Sequence, residues 1–290
     1  MGAISAVSSA GAALRRNPII FAAMVVVVAV SLLSTVVQFL PMPNDPLVSG
    51  LLGTAISLVV TVFVYPFIEG GIIGMAHEGV VGHTGFGTFL SEGRENYVGL
   101  LLANVLMFVI FIAAIIVYLI VSLLVALVTG FAIGGMGGGG GLAGGMGLGA
   151  GLVFTGISAL LIVGLLLVPF FLQFYRAAIV VDDAGVTDSF RRSAGLVREN
   201  FAKTLGYNVI ALLVNLVSVI PIVYYVVTHV AVSDAPATAA TNGFLGTSPS
   251  GGLVFFIASG VLSLLIGAFL RTYYVAYYTD RTEGRPEPTA

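Results

Sequence analysis

The sequence predicts an all-α, polytopic integral membrane protein with six transmembrane helices, and two observations favour this class. Six apolar runs each reach the roughly 20 helical residues that a hydrocarbon core about 30 Å thick requires. All 11 Lys and Arg residues lie on one side of these runs: before the first, around the second and fourth connections, or near the C-terminus. Because cytoplasmic loops retain Lys and Arg during insertion, we expect a cell-membrane protein with both termini in the cytoplasm.

The apolar runs account for nearly the whole chain. They cover approximately residues 19–40, 47–75, 97–128, 152–181, 204–228 and 253–278. The connection at residues 130–151 is rich in glycine, and the one at residues 231–252 is rich in Ala, Thr, Ser, Gly and Pro, so we expect both to be irregular. With 58% hydrophobic and 8% charged residues, no stretch remains for a soluble domain. We therefore expect a single transmembrane domain over residues 1–290.

An internal repeat predicts that the six helices form three pseudo-repeated helical hairpins. When residues 85–106 are aligned with residues 189–210, seven positions are identical, including an Arg-Glu-Asn triplet. The N-terminus carries a weaker copy, Arg15-Arg16-Asn17-Pro18. Each copy precedes an odd-numbered run, so each unit holds a lead-in, two spans and a return. The predicted units are residues 4–76, 85–181 and 188–280.

The lead-in segments have the spacing of amphipathic helices. In the third unit, Phe190, Ala194, Val197 and Phe201 follow one another at steps of three or four residues, as one apolar face requires. Such helices can lie on the cytoplasmic membrane surface with arginines toward anionic headgroups. The alternative is that they are short connectors packed on the protein. In the first interpretation, the arginines that face headgroups are Arg94, Arg191, Arg192 and Arg198.

Each lead-in ends in an asparagine, at Asn17, Asn96 and Asn200. The first amides of a helix lack partners within it, and Asn is a preferred N-cap residue. We therefore predict that these three asparagines cap the first, third and fifth spans.

Three charged residues lie inside the apolar runs, where charge is costly and indicates a bundle interior or a cavity. Glu69 and Arg271 lie at matching depths, roughly 12 to 14 Å along their helices from the polar boundary. Each ends a series of small or polar residues at steps of four, which includes Tyr65 in one run and Ser263 in the other. Glu69 is expected to pair with Arg271 or with Arg176. Two interpretations stay open: a structural ion pair, or a cytoplasm-facing cavity that binds a solute or headgroup.

Several other classes of protein are disfavoured. A net charge of −2 argues against nucleic acid as a partner. The chain has no cysteine, and His77-Glu78 lacks the second histidine of a zinc-protease helix. We expect no metal and no cofactor, and we do not expect an enzyme.

The segment from Ala177 to Lys203, above all Ser189, Phe190, Arg192, Ser193 and Asn200, carries a resemblance. It resembles a family of uncharacterised six-span membrane proteins of halophilic archaea. It is more distantly similar to the membrane domain attached to some glycerophosphodiester phosphodiesterases, whose barrel domain and metal-binding carboxylates have no counterpart here. The resemblance implies a membrane fold and no particular activity.

The function we expect is that of a non-catalytic membrane component that organises lipid or a partner protein, with membrane lipids as its first partners. Basic lead-in helices and the lack of a catalytic set favour this interpretation. The alternative is a transporter or lipid-handling protein that uses a polar cavity between helices 2, 4 and 6.

Overall fold

The computed structural model describes residues 2–38, 46–134, 148–225, 227 and 249–282, and within these ranges every regular element is a helix. The elements are α1 (Ala3–Arg16), α2 (Ile19–Gln38), α3 (Pro46–Val59), a π-helical segment (Val60–Val64), α4 (Tyr65–Val81), α5 (Phe86–Glu95), α6 (Tyr97–Gly134), α7 (Leu148–Leu172), α8 (Tyr175–Asp182), α9 (Val186–Glu199), α10 (Phe201–Val217), α11 (Ile220–Tyr225) and α12 (Pro249–Thr282).

Four continuous helical stretches are long and apolar enough to cross a membrane: Leu51–Val81, Tyr97–Val125, Thr155–Asp182 and Ile257–Thr282. Two further candidates are bent pairs, α1 with α2 at 95° and α9 with α10 at 98°. If each bent pair is one span, the described residues hold six. These helices are those of a multi-pass membrane protein with four to six spans, and the arrangement as three repeated hairpins stays a prediction.

The helices extend into both of the connections that we expected to be irregular. α6 continues to Gly134 and α7 already begins at Leu148, so the glycine-rich connection is shorter than residues 130–151. Similarly, α12 begins at Pro249, inside the predicted connection at residues 231–252. The remainder of both connections lies outside the described residues.

The three asparagines lie at the predicted junctions, but their side chains do not make the expected N-cap hydrogen bonds. Their backbone carbonyls do accept from the next helix, as when Thr204 N donates to Asn200 O at 2.8 Å. The side-chain Nδ2 groups instead donate backwards, to the carbonyl four residues earlier: Ala13, Glu92 and Leu196, at 3.1 to 3.2 Å. Each of these carbonyls also accepts from the backbone N–H of the same asparagine, so the amides add a second hydrogen bond at the end of the lead-in helix and do not cap the following span.

Asn17 also connects the bend between α1 and α2 to the C-terminal end of α4. Its Nδ2 lies 3.2 Å from Gly79 O and 3.1 Å from Gly82 O, and its Oδ1 accepts from Thr84 N at 2.9 Å. A buried amide that uses both its donor and its acceptor groups in this way fixes the position of α1 against α4.

The two lead-in helices with a predicted apolar face behave differently. In α9, Phe190 and Val197 are buried, and the Phe190 ring stacks on Tyr175 at 5.0 Å between centroids. That helix is therefore packed on the protein, as the connector interpretation expected. In α5, the residues with the same spacing are Phe86, Leu90 and Gly93, of which the first two are exposed and Gly93 is buried.

The buried core lies at one end of the molecule, where α1, α5, α9 and the C-terminal half of α12 meet. We call it the basic end because these helices carry arginines. Tyrosines of α12 form its centre. Tyr273 and Tyr277 both stack near Tyr207 of α10, with ring centroids 4.8 Å apart. Alanines of α1, including Ala6 and Ala10, pack against them. These contacts join α1 and α10 to α12.

Away from the basic end, almost every described position of the helices is exposed or partly exposed. α6 has no buried residue between Asn104 and Val125, and α10 has none beyond Tyr207. α7 has none between Thr155 and Leu172. Lipid tails are as apolar as these leucines, valines and isoleucines, so such surfaces are stable in a bilayer without protein contacts.

Candidate functional site

Glu69 lies between two arginines, and the three side chains form an ion cluster. Arg176 Nη1 lies 2.6 Å from Glu69 Oε2, and Arg271 Nη2 donates to Glu69 Oε1. The glutamate side chain is 5% exposed and each arginine side chain 34%. The sequence left open which arginine would pair with Glu69, and in the structure both do.

The cluster joins three separate parts of the chain, because Glu69 belongs to α4, Arg176 to α8 and Arg271 to α12. Close packing around α4 makes this possible. A Cβ atom at Gly71 would lie 2.5 Å from the Phe89 carbonyl oxygen, and one at Gly74 would lie 2.3 Å from Glu92 Cγ. The two glycines thus allow α5 to lie directly against α4 beside Glu69.

Further polar groups extend the cluster away from Glu69. Arg176 Nε donates to the Tyr175 hydroxyl at 2.9 Å, and that hydroxyl donates to Asn104 Oδ1. The Arg176 guanidinium also lies 5.3 Å from the centroid of the Tyr175 ring. The network therefore continues into α6, and it satisfies Arg176 on the side facing away from Arg271.

A cavity of about 600 Å³ lies on the Arg271 side of the cluster. Its lining residues include Tyr65, Ser263 and Arg271. Its other walls come from α2 and α10, including Met24, Val27, Val28, Ser31, Tyr207, Ala211 and Asn215. Arg176 of α8 is not among the lining residues.

The position of the cavity corrects the prediction that it would lie between helices 2, 4 and 6. It lies among α2, α4, α10 and α12, which correspond to runs one, two, five and six. The reason is geometric: Glu69 stands between the two arginines, so Arg176 faces α6 while Arg271 faces α10.

The π-helical segment before α4 helps to place Tyr65 in the cavity wall. Pro66 has no N–H and cannot continue regular α-helical hydrogen bonding across this point. The Tyr97 hydroxyl donates to the Phe63 carbonyl at 3.1 Å and satisfies an acceptor in the segment. Tyr65 then reaches Ser31 of α2, with 3.4 Å between the hydroxyl oxygens.

The arginines that we expected to face headgroups divide into two groups. Arg94, Arg191 and Arg198 are exposed, and so are Arg15 and Arg16. Arg192 is different, because its Nη1 lies 3.0 Å from Asp182 Oδ2, which also accepts from Tyr278. Arg192 therefore joins α9 to α8 and α12, while its side chain stays 41% exposed.

Sequence reasoning missed several cavity residues, above all Tyr207 and Tyr274. A tyrosine in an apolar run resembles any other large aromatic residue, and neither was singled out. One signal was present: Tyr207, Ala211 and Asn215 follow at steps of four along α10, and all three line the cavity.

Metal binding has no support in the part of the chain that the structure describes. No group of three or more His, Asp or Glu side chains there is close enough to hold an ion. The ion cluster contains one carboxylate and two guanidinium groups, a combination that repels cations.

Comparison with known proteins places the chain in a family without assigning it an activity. No curated protein and no solved structure matches the sequence. The sequence model of a family described as a domain of unknown function (DUF7847) matches residues 1–281. This match spans nearly the whole chain, from α1 through the end of α12. The chain therefore belongs to the DUF7847 family.

Proposed function

We propose that this protein is a non-catalytic component of the cell membrane that binds and organises anionic lipid at its cytoplasmic face. The observation that carries the proposal is the set of exposed arginines on helices that turn by 95° and 98° from the following spans. A lead-in at a right angle to a membrane-spanning helix lies in the plane of the membrane surface.

The exposed residues of the lead-ins suit that position. Arg94 and Arg198 precede the third and fifth runs, and Arg191 and Lys203 flank the third lead-in. Each basic side chain near an anionic surface contributes about 1 kcal/mol to binding. Exposed apolar residues, Phe86 and Leu90 on α5 and Phe201 at the start of α10, can enter the acyl boundary.

The cytoplasmic assignment is part of the proposal. It depends on the distribution of Lys and Arg, all 11 of which lie on one side of the apolar runs. The resemblance to six-span proteins of halophilic archaea and to the membrane domain of glycerophosphodiester phosphodiesterases implies a membrane fold and does not bear on the role. A partner protein on the same surface is the other form of this role, and it is one outcome of the test.

The test is native mass spectrometry of the purified full-length protein. The variant Arg94→Gln/Arg191→Gln/Arg198→Gln should retain far less anionic phospholipid than the wild type, because three contacts of about 1 kcal/mol correspond to roughly a hundredfold in affinity. The control is the same triple change to Lys, which keeps the charge and should keep the lipid. Equal retention in both variants, or a retained polypeptide in place of lipid, would overturn lipid organisation.

A second candidate function is a transporter or lipid-handling role, and the cavity beside Arg271 favours it. The lining residues supply hydroxyl and amide groups within a wall that is otherwise apolar, a combination typical of ligand sites. This role would use the interior of the bundle, whereas the first uses only its surface.

A further inference from the structure

The charge of the ion cluster is unbalanced. Glu69 supplies one negative charge, and Arg176 and Arg271 supply two positive charges, so the three side chains sum to +1. A single charge in the apolar part of a membrane costs about 2.5–3.5 kcal/mol or more, so such charges are normally paired. The surplus requires a counter-charge or water.

Both arginine side chains are 34% exposed, but only Arg271 lines the cavity. Arg176 already donates to Tyr175, which leads on to Asn104. Glu69 is buried behind Arg271 and does not line the cavity. No carboxylate is found among the described lining residues.

The remaining polar lining groups can donate hydrogen bonds to an anion. They are the hydroxyls of Tyr65, Tyr207, Ser259 and Ser263 and the Asn215 amide, whereas the Tyr274 hydroxyl already donates to the Gln173 carbonyl. Ser259 is a second, independent indication, because its Oγ is buried and has no hydrogen-bond partner in the described part of the chain. A buried hydroxyl without a partner costs free energy unless a ligand or water supplies one.

We propose that the cavity among α2, α4, α10 and α12 is a binding site for the phosphate or carboxylate group of an amphipathic anion, held by Arg271. This inference deepens the second candidate function by naming its ligand class. Arginine binds both groups through paired N–H donors, and Met24, Val27, Val28 and Leu270 offer an apolar surface to the rest of the molecule. The volume of about 600 Å³ lies within the range of ligand pockets.

Two arginine variants form a matched pair. Arg271→Gln and Arg176→Gln each remove one positive charge from the same glutamate, but only the first removes a cavity residue. We measure the thermal shift of the full-length protein in neutral detergent with dihexanoyl phosphatidate, with inorganic phosphate, and with uncharged dihexanoyl glycerol as the control probe. Arg271→Gln should weaken phosphatidate binding by roughly tenfold to a hundredfold, the range for hydrogen bonds to charged groups, whereas Arg176→Gln, which removes the surplus charge but keeps the Arg271 donors in the cavity, should weaken it by a smaller factor.

A second pair of variants leaves the ion cluster unchanged. A Cβ atom at Gly260 would meet nothing within 4 Å, and Gly260 lines the cavity, so Gly260→Leu places a side chain in the open space. Gly164 in α7 also has open space around its Cβ position but does not line the cavity. Gly260→Leu should abolish the shift and Gly164→Leu should keep it, even if Arg271→Gln does not fold.

The probes distinguish the two sources of the anionic group. A shift with phosphatidate alone indicates a lipid headgroup, whereas an equal shift with inorganic phosphate indicates a free anionic solute, and both support the site. The site is overturned if the wild type shows no shift with either probe, or if Gly260→Leu binds like Gly164→Leu. All four variants leave the lead-in arginines unchanged, so failure of surface lipid binding would not alter this result.

Discussion

At the scale of single residues, Glu69 is the residue whose loss should cost most. Its carboxylate contacts both Arg176 and Arg271 while it is itself buried. Replacing it with Gln leaves two neighbouring guanidinium groups without a counter-charge, and breaking a buried ion pair from one side costs about 3–5 kcal/mol.

We therefore predict that Glu69→Gln lowers the thermal unfolding temperature of the purified protein substantially. The control is Glu95→Gln, which removes an exposed carboxylate of α5 and should leave the unfolding temperature nearly unchanged. Wild-type melting of Glu69→Gln would contradict a stabilising ion cluster.

The residue types predicted which charged residues form the site, but they predicted the geometry of the site less well. Charge in an apolar run is rare, so Glu69, Arg176 and Arg271 were visible in the sequence alone. The double pairing was not, because helix periodicity gives the face of a residue but not the rotation of its neighbours. The three asparagines show the same limit: the repeat predicted their positions, but it did not predict that each amide donates to the preceding helix.

At the scale of elements, the contact between α4 and α5 depends on glycine. A Cβ atom at Gly71 would lie 2.5 Å from a backbone oxygen and 2.6 Å from a ring carbon of Phe89. A backbone oxygen in a packed helix cannot move without moving the helix, so α5 would have to shift away from α4.

Gly71→Ala should thus destabilise the protein by about 1–3 kcal/mol, the usual cost of overpacking. Gly87→Ala lies in α5 itself and meets nothing within 4 Å, so it should be neutral or gain up to about 1 kcal/mol in helix propensity. Denaturation of the two variants side by side checks the prediction; equal stabilities would mean that α4 and α5 are not closely packed.

Hydropathy predicted the helices themselves, since each apolar run is helical in the described ranges. The sequence pattern predicted the packing of the lead-in helices less well. Phe190 and Phe86 occupy equivalent places in the repeat, yet one is buried against Tyr175 and the other is exposed. Local periodicity is the same in both; the difference arises from the tertiary neighbours, which a sequence pattern does not contain.

At the scale of the whole molecule, the sequence predicts an orientation that a labelling experiment can check. The natural chain has no cysteine, so single cysteines can be introduced without background. Ser9→Cys in α1 should react with a membrane-impermeant maleimide only after the cells are opened, because the basic side is expected to be cytoplasmic. Ser233→Cys, in the connection between the fifth and sixth runs, should react in intact cells. The reverse pattern would show that the termini lie outside.

The placement of one charge on each of three distant segments has a consequence for how the protein is made. During synthesis Glu69 enters the membrane first, as an unpaired charge whose insertion costs free energy. Arg176 can neutralise it only when the fourth apolar run has entered. From that point until the last run enters, the inserted chain is electrically balanced at this depth. The last helix then brings Arg271 together with Ser259 and Ser263, so the surplus charge and the wall of the cavity arrive in one step. A nascent chain without α12 is thus a balanced intermediate, and the anion-attracting interior exists only once biogenesis is complete.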